Sequence, residues 1–208
     1  MESAAALKNL LTEYGLDPQS EAARQMMVYL ALLKKWNARI NLTAGTDWRQ
    51  VGPFFQEGIW ASGFFSREAD SLLDIGSGAG FPAIPIRIMV PRIRLDMVES
   101  RAKKAAFLET VVGELKLNGA SVHSKRLREH LRESKRIWDC ISWKGLKLSY
   151  RDLEGLRAHA RPRTQFWMLH GKDLAVEDPE TLAREFVLLR REECAGRKEW
   201  RLSIYLPR

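Results

Sequence analysis

The sequence contains little cysteine and no long apolar run. Only two cysteines occur in 208 residues, Cys140 and Cys194, and they lie far apart without a C-x-x-C spacing. Two thiols without a disulfide or metal-ligand pattern are typical of a reducing compartment. The sequence also lacks an apolar stretch of membrane-spanning length and the hydrophobic segment of a secretory signal. We therefore expect a cytoplasmic protein that is not attached to a membrane.

The charge of the chain is unbalanced. The 34 lysines and arginines exceed the 26 acidic residues, which gives a net charge of +8. Such an excess is compatible with a polyanionic partner such as nucleic acid, although by itself it is a weak signal. The length and the 45% hydrophobic content predict one large domain, or one domain with an appendage.

Helical patterns occupy roughly the first seventy residues. Residues 1–14 carry apolar side chains at helical spacing, and a second helix is predicted to start at Asp17 as N-cap with Pro18 at the first helical position. A helical turn at 47–50 and a separate helix at 54–65 are predicted to follow. We expect this helical extension, residues 1–70, to precede the main domain.

From residue 71 onward, short apolar strands alternate with helices. This alternation predicts a parallel sheet with right-handed crossovers. No helix separates the last two strands, so we expect them to pair as a hairpin that leaves strand seven antiparallel. The predicted strands are 72–75, 94–98, 121–124, 137–142, 165–169, 186–190 and 200–206.

A glycine-rich turn after the first strand carries the strongest functional signal. An apolar run ends in Asp74 and is followed by Gly76, Gly78 and Gly80, after which a helical pattern begins. Glycines permit positive φ angles and let a ligand lie against bare main chain. Nineteen residues beyond Gly80, the second strand ends in Glu99, where an acid suits the two hydroxyls of a ribose. Together these features predict a nucleoside-cofactor site.

The spacing of the glycines distinguishes two cofactor classes. The dinucleotide fingerprint is G-x-G-x-x-G, whereas this chain has G-x-G-x-G preceded by Asp74. The shorter spacing resembles the S-adenosylmethionine turn of Rossmann-like methyltransferases, whose cofactor has no phosphate to cradle. A nicotinamide-dependent dehydrogenase is the first alternative, and a glycine-rich connection without a ligand is the second. His123 and His170 show no metal-ligand spacing, so we predict no metal.

Several further motifs occur in a fixed order along nearly the whole chain. They are Lys35-Trp36-Asn37, Asn41-Leu42-Thr43-Ala44, the segment from Asp74 to Pro82, Pro85, Pro91 and the segment from Glu99 to Leu108. In order and spacing they resemble one family, the bacterial small-subunit ribosomal RNA guanine-N7 methyltransferase G, also called glucose-inhibited division protein B.

The resemblance implies a fold, a cofactor and a substrate. The implied fold is α/β: a Rossmann-like class I methyltransferase with a seven-stranded, mostly parallel sheet, its last strand antiparallel. The methyltransferase domain would span residues 71–208 and pack with residues 1–70 as one globular unit. The methyl donor would be S-adenosylmethionine and the acceptor a guanine of 16S ribosomal RNA or of the small ribosomal subunit. We expect a monomer.

Four segments depart from the family pattern, one of them a weakened R-x-E-E after the third strand, at residues 126–129 or one position earlier. Residues 54–58 lack its histidine and its Asp-Ser pair, Lys144 replaces an arginine tied to the active site, and His170 replaces a lysine. Lys keeps the charge but loses the planar fork that grips an anion in two places. Trp143 has two interpretations, an aromatic platform for an extruded base or a buried core residue. The departures also support a rival function, a non-catalytic RNA-binding or ribosome-assembly factor that kept the fold.

The predicted site residues form two sets. Guanine N7 is an exposed lone pair without a proton, so no general base is expected, and Lys144 is assigned a positioning role in catalysis. The cofactor set comprises Asp74, Gly76, Ser77, Gly78, Gly80, Phe81, Glu99, Ser100 and Lys144, with Leu127 and Arg128 added by family analogy. The RNA set comprises Lys35, Arg39, Arg101, Lys103, Lys104, Lys125 and Arg126, and a further basic pair is Arg161 and Arg163.

Overall fold

A seven-stranded sheet with helices on both faces forms the centre of the structure, a computed structural model that describes residues 2–171 and 179–208. The strands are β1 (Ser71–Ile75), β2 (Arg94–Val98), β3 (Ala120–His123), β4 (Cys140–Lys144), β5 (Gln165–His170), β6 (Phe186–Glu193) and β7 (Arg201–Pro207). The helices are α1 (Glu2–Glu13), α2 (Glu21–Asn37), α3 (Trp48–Ser62), α4 (Ala83–Met89), α5 (Ala102–Glu114), α6 (Leu127–Glu133), α7 (Tyr150–Arg157) and α8 (Pro179–Glu185).

The strand order is β3-β2-β1-β4-β5-β7-β6. The first five strands pair in parallel, whereas β7 runs antiparallel to both of its neighbours, β5 and β6. The predicted sheet and its terminal hairpin are therefore confirmed. Successive strands are added on one side of β1 up to β3 and on its other side from β4 onward. The carboxyl ends of the parallel strands β1 and β4 therefore border a crevice, which is where ligands bind in open α/β sheets.

The two faces of the sheet bury different apolar residues of the same strands. In β1, Leu72 faces the core shared with α1–α5, whereas Leu73 faces a second core with α6–α8. All five residues of β1 are buried, as expected for a central strand covered on both sides. The helices α1–α3 thus contribute to the same core as one sheet face, while the proposed division of the chain at residue 70 stays a prediction.

The second helix begins later than the sequence suggested. Its N-cap is Ser20, whose side chain accepts the Ala23 N–H at 3.2 Å, and not Asp17. Asp17 instead accepts the Gln19 N–H at 2.8 Å within the preceding turn. Both residues are good caps, so local preference alone did not decide between them.

One helix, α3, replaces the two short helical segments predicted at 47–50 and 54–65. Asp47 is its N-cap, with its side chain accepting the Gln50 N–H at 3.2 Å. Pro53 lies between the two predicted segments, and proline lacks the N–H that would bond four residues back. The carbonyl deprived of that partner belongs to Arg49, an exposed residue where water can take its place.

The fourth strand also differs, and the difference affects the site. We predicted residues 137–142, but β4 spans Cys140–Lys144. Ile137 is 43% exposed and lies before the strand. Trp143 and Lys144 therefore belong to the strand itself and pair with β5, which fixes the direction of both side chains.

The buried Tyr29 of α2 connects the N-terminal helices to the glycine turn. Its hydroxyl donates to the Ala79 carbonyl at 2.5 Å, and its ring packs among Phe55, Phe81 and Phe107. Since the ring is fully buried, water cannot replace the hydroxyl as a donor.

Tyr29→Phe is expected to lower the free energy of unfolding by about 1 to 2 kcal/mol, because the Ala79 carbonyl is left buried without its donor. Chemical denaturation monitored by circular dichroism measures this change. Tyr14→Phe, at a partly exposed position on the same N-terminal segment, is the control and should change stability by less than about 0.5 kcal/mol. Equal effects of the two substitutions would contradict the role assigned to Tyr29.

Candidate functional site

The glycine turn between β1 and α4 has the conformation that the sequence predicted. Gly76, Gly78 and Gly80 have φ angles of 66°, 56° and 90°. The Gly76 N–H donates to the Val98 carbonyl at 2.7 Å, which joins the turn to the end of β2. The turn holds all three residues in the left-handed backbone region, where a residue with a side chain would be strained.

The glycines serve different purposes. A Cβ atom on Gly80 would come within 2.7 Å of Ile84 and 3.1 Å of the Tyr29 hydroxyl, so Gly80 allows the turn to pack against helices. A Cβ atom on Gly78 would meet no atom closer than 3.7 Å. Gly78 therefore leaves bare main chain beside open space, the arrangement that a ligand approaching the backbone requires.

Glu99, at the end of β2, binds directly to this turn. One carboxylate oxygen accepts the Gly78 N–H and the other accepts the Arg101 N–H, both at 2.8 Å. The side chain is buried, at 6% exposure. The acid and the glycine turn, which the sequence linked only by spacing, thus form one unit with fixed geometry.

A cavity of about 490 Å³ opens at this unit. Its lining includes five of the predicted cofactor residues, namely Gly76, Gly78, Glu99, Ser100 and Leu127. Two leucines after β4, Leu146 and Leu148, supply an apolar wall, and Asp152 supplies a second acid. Ligand sites are usually cavities of this size with mainly apolar walls and a few oriented polar groups. The lining therefore fits an adenosyl group: apolar surface for a base and a carboxylate for ribose hydroxyls.

Asp74 and Ser77 lie beneath the turn and outside the cavity lining. The Ser77 hydroxyl donates to the Asp74 carbonyl at 3.1 Å, and one Asp74 carboxylate oxygen accepts the Ser142 hydroxyl at 2.6 Å. The other Asp74 oxygen is buried and has no hydrogen-bond partner in the described part of the chain. Burial raises the pKa of Asp74 to about 6, although its bonds to Ser142 and Ser77 and the charge of Lys144 oppose this. Asp74, predicted as a cofactor residue, thus binds Ser142 beneath the turn.

Three other predicted cofactor residues, Phe81, Gly80 and Arg128, lie outside the cavity lining, although the resemblance implied only a main-chain contact at Arg128. Phe81, expected over the turn, is 8% exposed and packs between the rings of Phe54 and Phe55 in the main core. Gly80 lies on the helix side of the turn. Arg128 is exposed, and its guanidinium donates to Asp152 at 2.7 Å. Arg128 thus contributes indirectly, by holding an acid that lines the cavity.

Trp143 and Lys144 take opposite directions from β4. Trp143 is fully buried in the second core, so it is a core residue and not the base-stacking platform that we considered. Lys144 forms an ion pair with Glu57 of α3, which is itself fully buried, and does not line the cavity. Burial lowers the pKa of the Lys144 ammonium group, and the Glu57 carboxylate opposes that shift. Arg197 binds the second Glu57 oxygen at 3.3 Å.

The sequence did not identify this cluster of Lys144, Glu57 and Arg197 because its members are remote in the chain. Glu57 precedes Lys144 by 87 residues and Arg197 follows Glu57 by 140. The leucines of the cavity wall were also missed, although residues just after a central strand are expected at the carboxyl edge of the sheet.

His170, which replaces a lysine of the family pattern, is buried and hydrogen-bonds to Ser203 on β7 at 2.9 Å.

Most of the predicted RNA-binding residues surround the cavity mouth. Arg101, Lys104, Lys125 and Arg126 line it directly, and exposed Lys103 follows on the first turn of α5.

Helix α2 lies against α5, with Gln25 bonded to the Leu115 carbonyl at one end and Trp36 packed on Phe107 nearer the other. The exposed Lys35 and Arg39 at the end of α2 therefore approach the edge where α5 begins. In contrast, Arg161 and Arg163 precede β5 at the opposite edge of the sheet, where they line a different cavity.

Gly78→Ala tests whether the open space at the turn belongs to a ligand. We expect S-adenosylmethionine affinity to fall at least about tenfold, because the methyl group stands where the ligand approaches the main chain. Gly15→Ala is the matched control: its φ is 73° and its added Cβ meets nothing within 4 Å, so it carries a comparable backbone strain far from the cavity. Calorimetric titration and thermal unfolding of both variants separate binding from stability. Loss of stability alone, with cofactor affinity unchanged, would argue against a ligand at Gly78.

No helix in the described ranges is both long and apolar enough to span a membrane.

Comparison with known proteins identifies one family that the chain matches over most of its length. The family model for rRNA small subunit methyltransferase G matches residues 22–194. A protein with that name from Geobacillus thermodenitrificans is 33% identical over 168 residues, covering 76% of this chain and 63% of the relative. A second from Exiguobacterium sibiricum is 36% identical over 121 residues, covering 57% and 51%. The matches to these two relatives thus span between half and two thirds of the relatives' length.

Solved structures share the fold at low sequence identity. A SAM-dependent methyltransferase from Aquifex aeolicus aligns with a TM-score of 0.57 and 16% identity, over 75% of this chain and 91% of its own. The glycopeptide N-methyltransferase MtfA, in complex with S-adenosyl-L-methionine, aligns with a TM-score of 0.58 and 11% identity, over 74% and 94%. These likenesses confirm the predicted class I methyltransferase fold.

Proposed function

Because the chain belongs to the rRNA small subunit methyltransferase G family, we propose that it transfers a methyl group from S-adenosylmethionine to N7 of a guanine in 16S ribosomal RNA. The observation that carries the proposal is the joined unit of Gly78 and Glu99 at the mouth of a cavity of about 490 Å³. The glycine spacing and the family both disfavour the alternative of a nicotinamide-dependent dehydrogenase.

The residues of the cavity would hold the cofactor in a defined orientation. Gly76 and Gly78 offer main chain, Glu99 offers a carboxylate for the ribose hydroxyls, and Leu127 with Leu146 offers apolar surface to the adenine. When bound, the cofactor supplies an electrophilic methyl group on a sulfonium. Ser100 completes the proposed set, whereas Lys144 is better placed to act on the acceptor side.

The acceptor chemistry requires positioning more than proton transfer. Guanine N7 carries no proton, so the chain does not need a general base at the nucleophile. Holding the two reactants in line can supply a large part of the rate enhancement, since it converts a bimolecular step into an effectively unimolecular one. This requirement fits the site, because Glu99, Asp74 and Lys144 each bind other groups of the protein.

The basic rim would guide the RNA backbone. Arg101, Lys104, Lys125 and Arg126 line the mouth of the cavity, with Lys103, Lys35 and Arg39 nearby. Contacts of this kind position phosphates without reading sequence, and they weaken steeply as salt rises. We propose 16S ribosomal RNA or the small ribosomal subunit as the partner, a monomeric enzyme, and the cytoplasm as its location.

Label transfer tests the proposed function. Purified protein is incubated with S-adenosylmethionine that carries a tritiated methyl group and with small ribosomal subunits that lack N7-methylguanine. We expect label in 16S RNA, recovered as 7-methylguanine after hydrolysis. Cofactor binding without label transfer to these subunits or to naked 16S RNA would overturn the proposed catalysis and favour a ribosome-assembly factor.

A further inference from the structure

Two segments that depart from the family pattern contact each other. Glu57 lies in the altered segment 54–58 on α3, and Lys144 replaces an arginine at the end of β4. In the structure the Lys144 ammonium group donates to a Glu57 carboxylate oxygen. Glu57 stands at the aspartate position of the family pattern and Lys144 at its arginine position, so the pair keeps both charges of the pattern with different side chains.

Arg197 is the third charged member of this feature. It lies in the loop between β6 and β7, and its guanidinium reaches the other oxygen of Glu57 at 3.3 Å. Two aromatic rings flank both cations. The Lys144 nitrogen lies 4.4 Å from the Phe54 ring centre, and the Arg197 guanidinium carbon lies 3.9 Å from that of Trp200. Cation–π contacts of this kind hold each charge over a ring face.

Two cations share one carboxylate in this cluster. Glu57 is 0% exposed, whereas the side chains of Lys144 and Arg197 are 13% and 19% exposed. Solvent therefore reaches both cations but not the carboxylate that holds them. A buried carboxylate is costly unless it is paired, so Glu57 fixes both cations firmly.

The cluster lies beside the proposed cofactor cavity. Lys144 ends β4, and Leu146, two residues on, lines the cavity. A Cβ on Gly145 would lie 4.0 Å from the Trp200 ring, so Trp200 packs against the same strand end. The two cations thus lie at the carboxyl edge of the sheet, beside the proposed cofactor cavity.

We propose that Glu57 positions Lys144 and Arg197 as a clamp for one phosphate of the RNA strand that carries the acceptor guanine. The proposal rests on the proposed function and deepens it. Two cations on one rigid carboxylate present a fixed positive site, which suits a phosphate whose position must be set before an in-line transfer. Lys144 and Arg197 would touch the RNA, whereas Glu57 is a positioning residue that acts through them.

The test measures RNA binding separately from methyl transfer. Lys144→Ala and Arg197→Ala are compared with wild type for the affinity toward unmodified small subunits at several salt concentrations, and for S-adenosylmethionine affinity by calorimetry. We expect about tenfold weaker subunit binding and a slope of log affinity against log salt that is smaller by about 0.7 to 0.9, as for one lost phosphate contact. Cofactor affinity should stay within about twofold.

The controls distinguish a phosphate-binding role of Lys144 and Arg197 from a purely structural one. Arg92→Ala removes an exposed arginine that also stacks on a ring, Phe65 at 5.9 Å, but at the opposite edge of the sheet, and it should leave the salt slope unchanged. Arg197→Lys keeps the charge and should restore most of the binding. Glu57→Gln should weaken subunit binding in the same direction, if it folds.

An unchanged salt slope in both alanine variants would overturn the clamp, as would a loss of cofactor affinity equal to the loss of subunit affinity. Wild-type protein that does not bind subunits or 16S RNA would overturn it as well. Wild-type protein that binds RNA with the predicted variant effects but transfers no label would leave the clamp standing and refute only the proposed catalysis.

Discussion

Glu99→Ala is expected to weaken S-adenosylmethionine binding by about 100-fold. The carboxylate is the group proposed to accept from the ribose hydroxyls, and hydrogen bonds to a charged acceptor each contribute about 1.5 to 3 kcal/mol. The same side chain also accepts the Gly78 and Arg101 N–H groups at 2.8 Å. Its removal therefore costs the ligand a partner and loosens the turn that the ligand contacts.

Calorimetric titration of the folded variant measures this loss. Glu109→Ala, an exposed acid on α5, is the control and should bind the cofactor like wild type. Circular dichroism confirms that both variants are folded at the titration temperature. Retention of wild-type affinity in Glu99→Ala would refute the role of the acid at the end of β2.

Asp74→Asn is expected to stabilise the protein at pH 8 by about 1 to 3 kcal/mol. Burial raises the pKa of Asp74 from its ordinary 3.8 to about 6, so above pH 6 the folded state carries a buried charge. Asparagine removes that charge and retains an oxygen that can accept from Ser142, which donates to Asp74 at 2.6 Å.

The sign of the pH dependence follows from the raised pKa. The neutral carboxyl favours the folded state fully below the unfolded pKa near 3.8, and this contribution is lost as pH rises through about 6. The difference between Asp74→Asn and wild type should therefore be large at pH 8 and nearly vanish at pH 4. Urea denaturation at both pH values measures it, with Glu109→Gln as an exposed control. A stability difference that is the same at both pH values, or a destabilised variant at pH 8, would contradict this account of Asp74.

Local motifs determined what the sequence could predict. The glycines at 76, 78 and 80 and the acid Glu99 depend on strand ends and on a spacing of about 20 residues, which parallel sheets impose. The structure accordingly places Gly78 and Glu99 in direct contact. The family resemblance added Leu127, and the cavity lining includes it.

Long-range packing determined what the sequence could not predict. Phe81 follows the glycine turn directly, yet it packs into aromatic rings contributed by α2 and α3. Lys144 was predicted as a cofactor contact because the family resemblance places an active-site arginine at its position, but its ion-pair partner is 87 residues away on α3. Nothing in the local pattern around Arg197 indicated that it completes the same cluster. Such contacts depend on how helices outside the motif pack on the sheet.

The central claim is that the cavity between the glycine turn and Glu99 holds an adenosyl group that lacks a pyrophosphate. Calorimetric titration of the wild-type chain with S-adenosylmethionine, and in parallel with NAD, tests it most directly. S-adenosylmethionine is expected to bind saturably at one site per chain, with NAD bound far more weakly or not at all. Absence of heat with S-adenosylmethionine, or a preference for NAD, would contradict it.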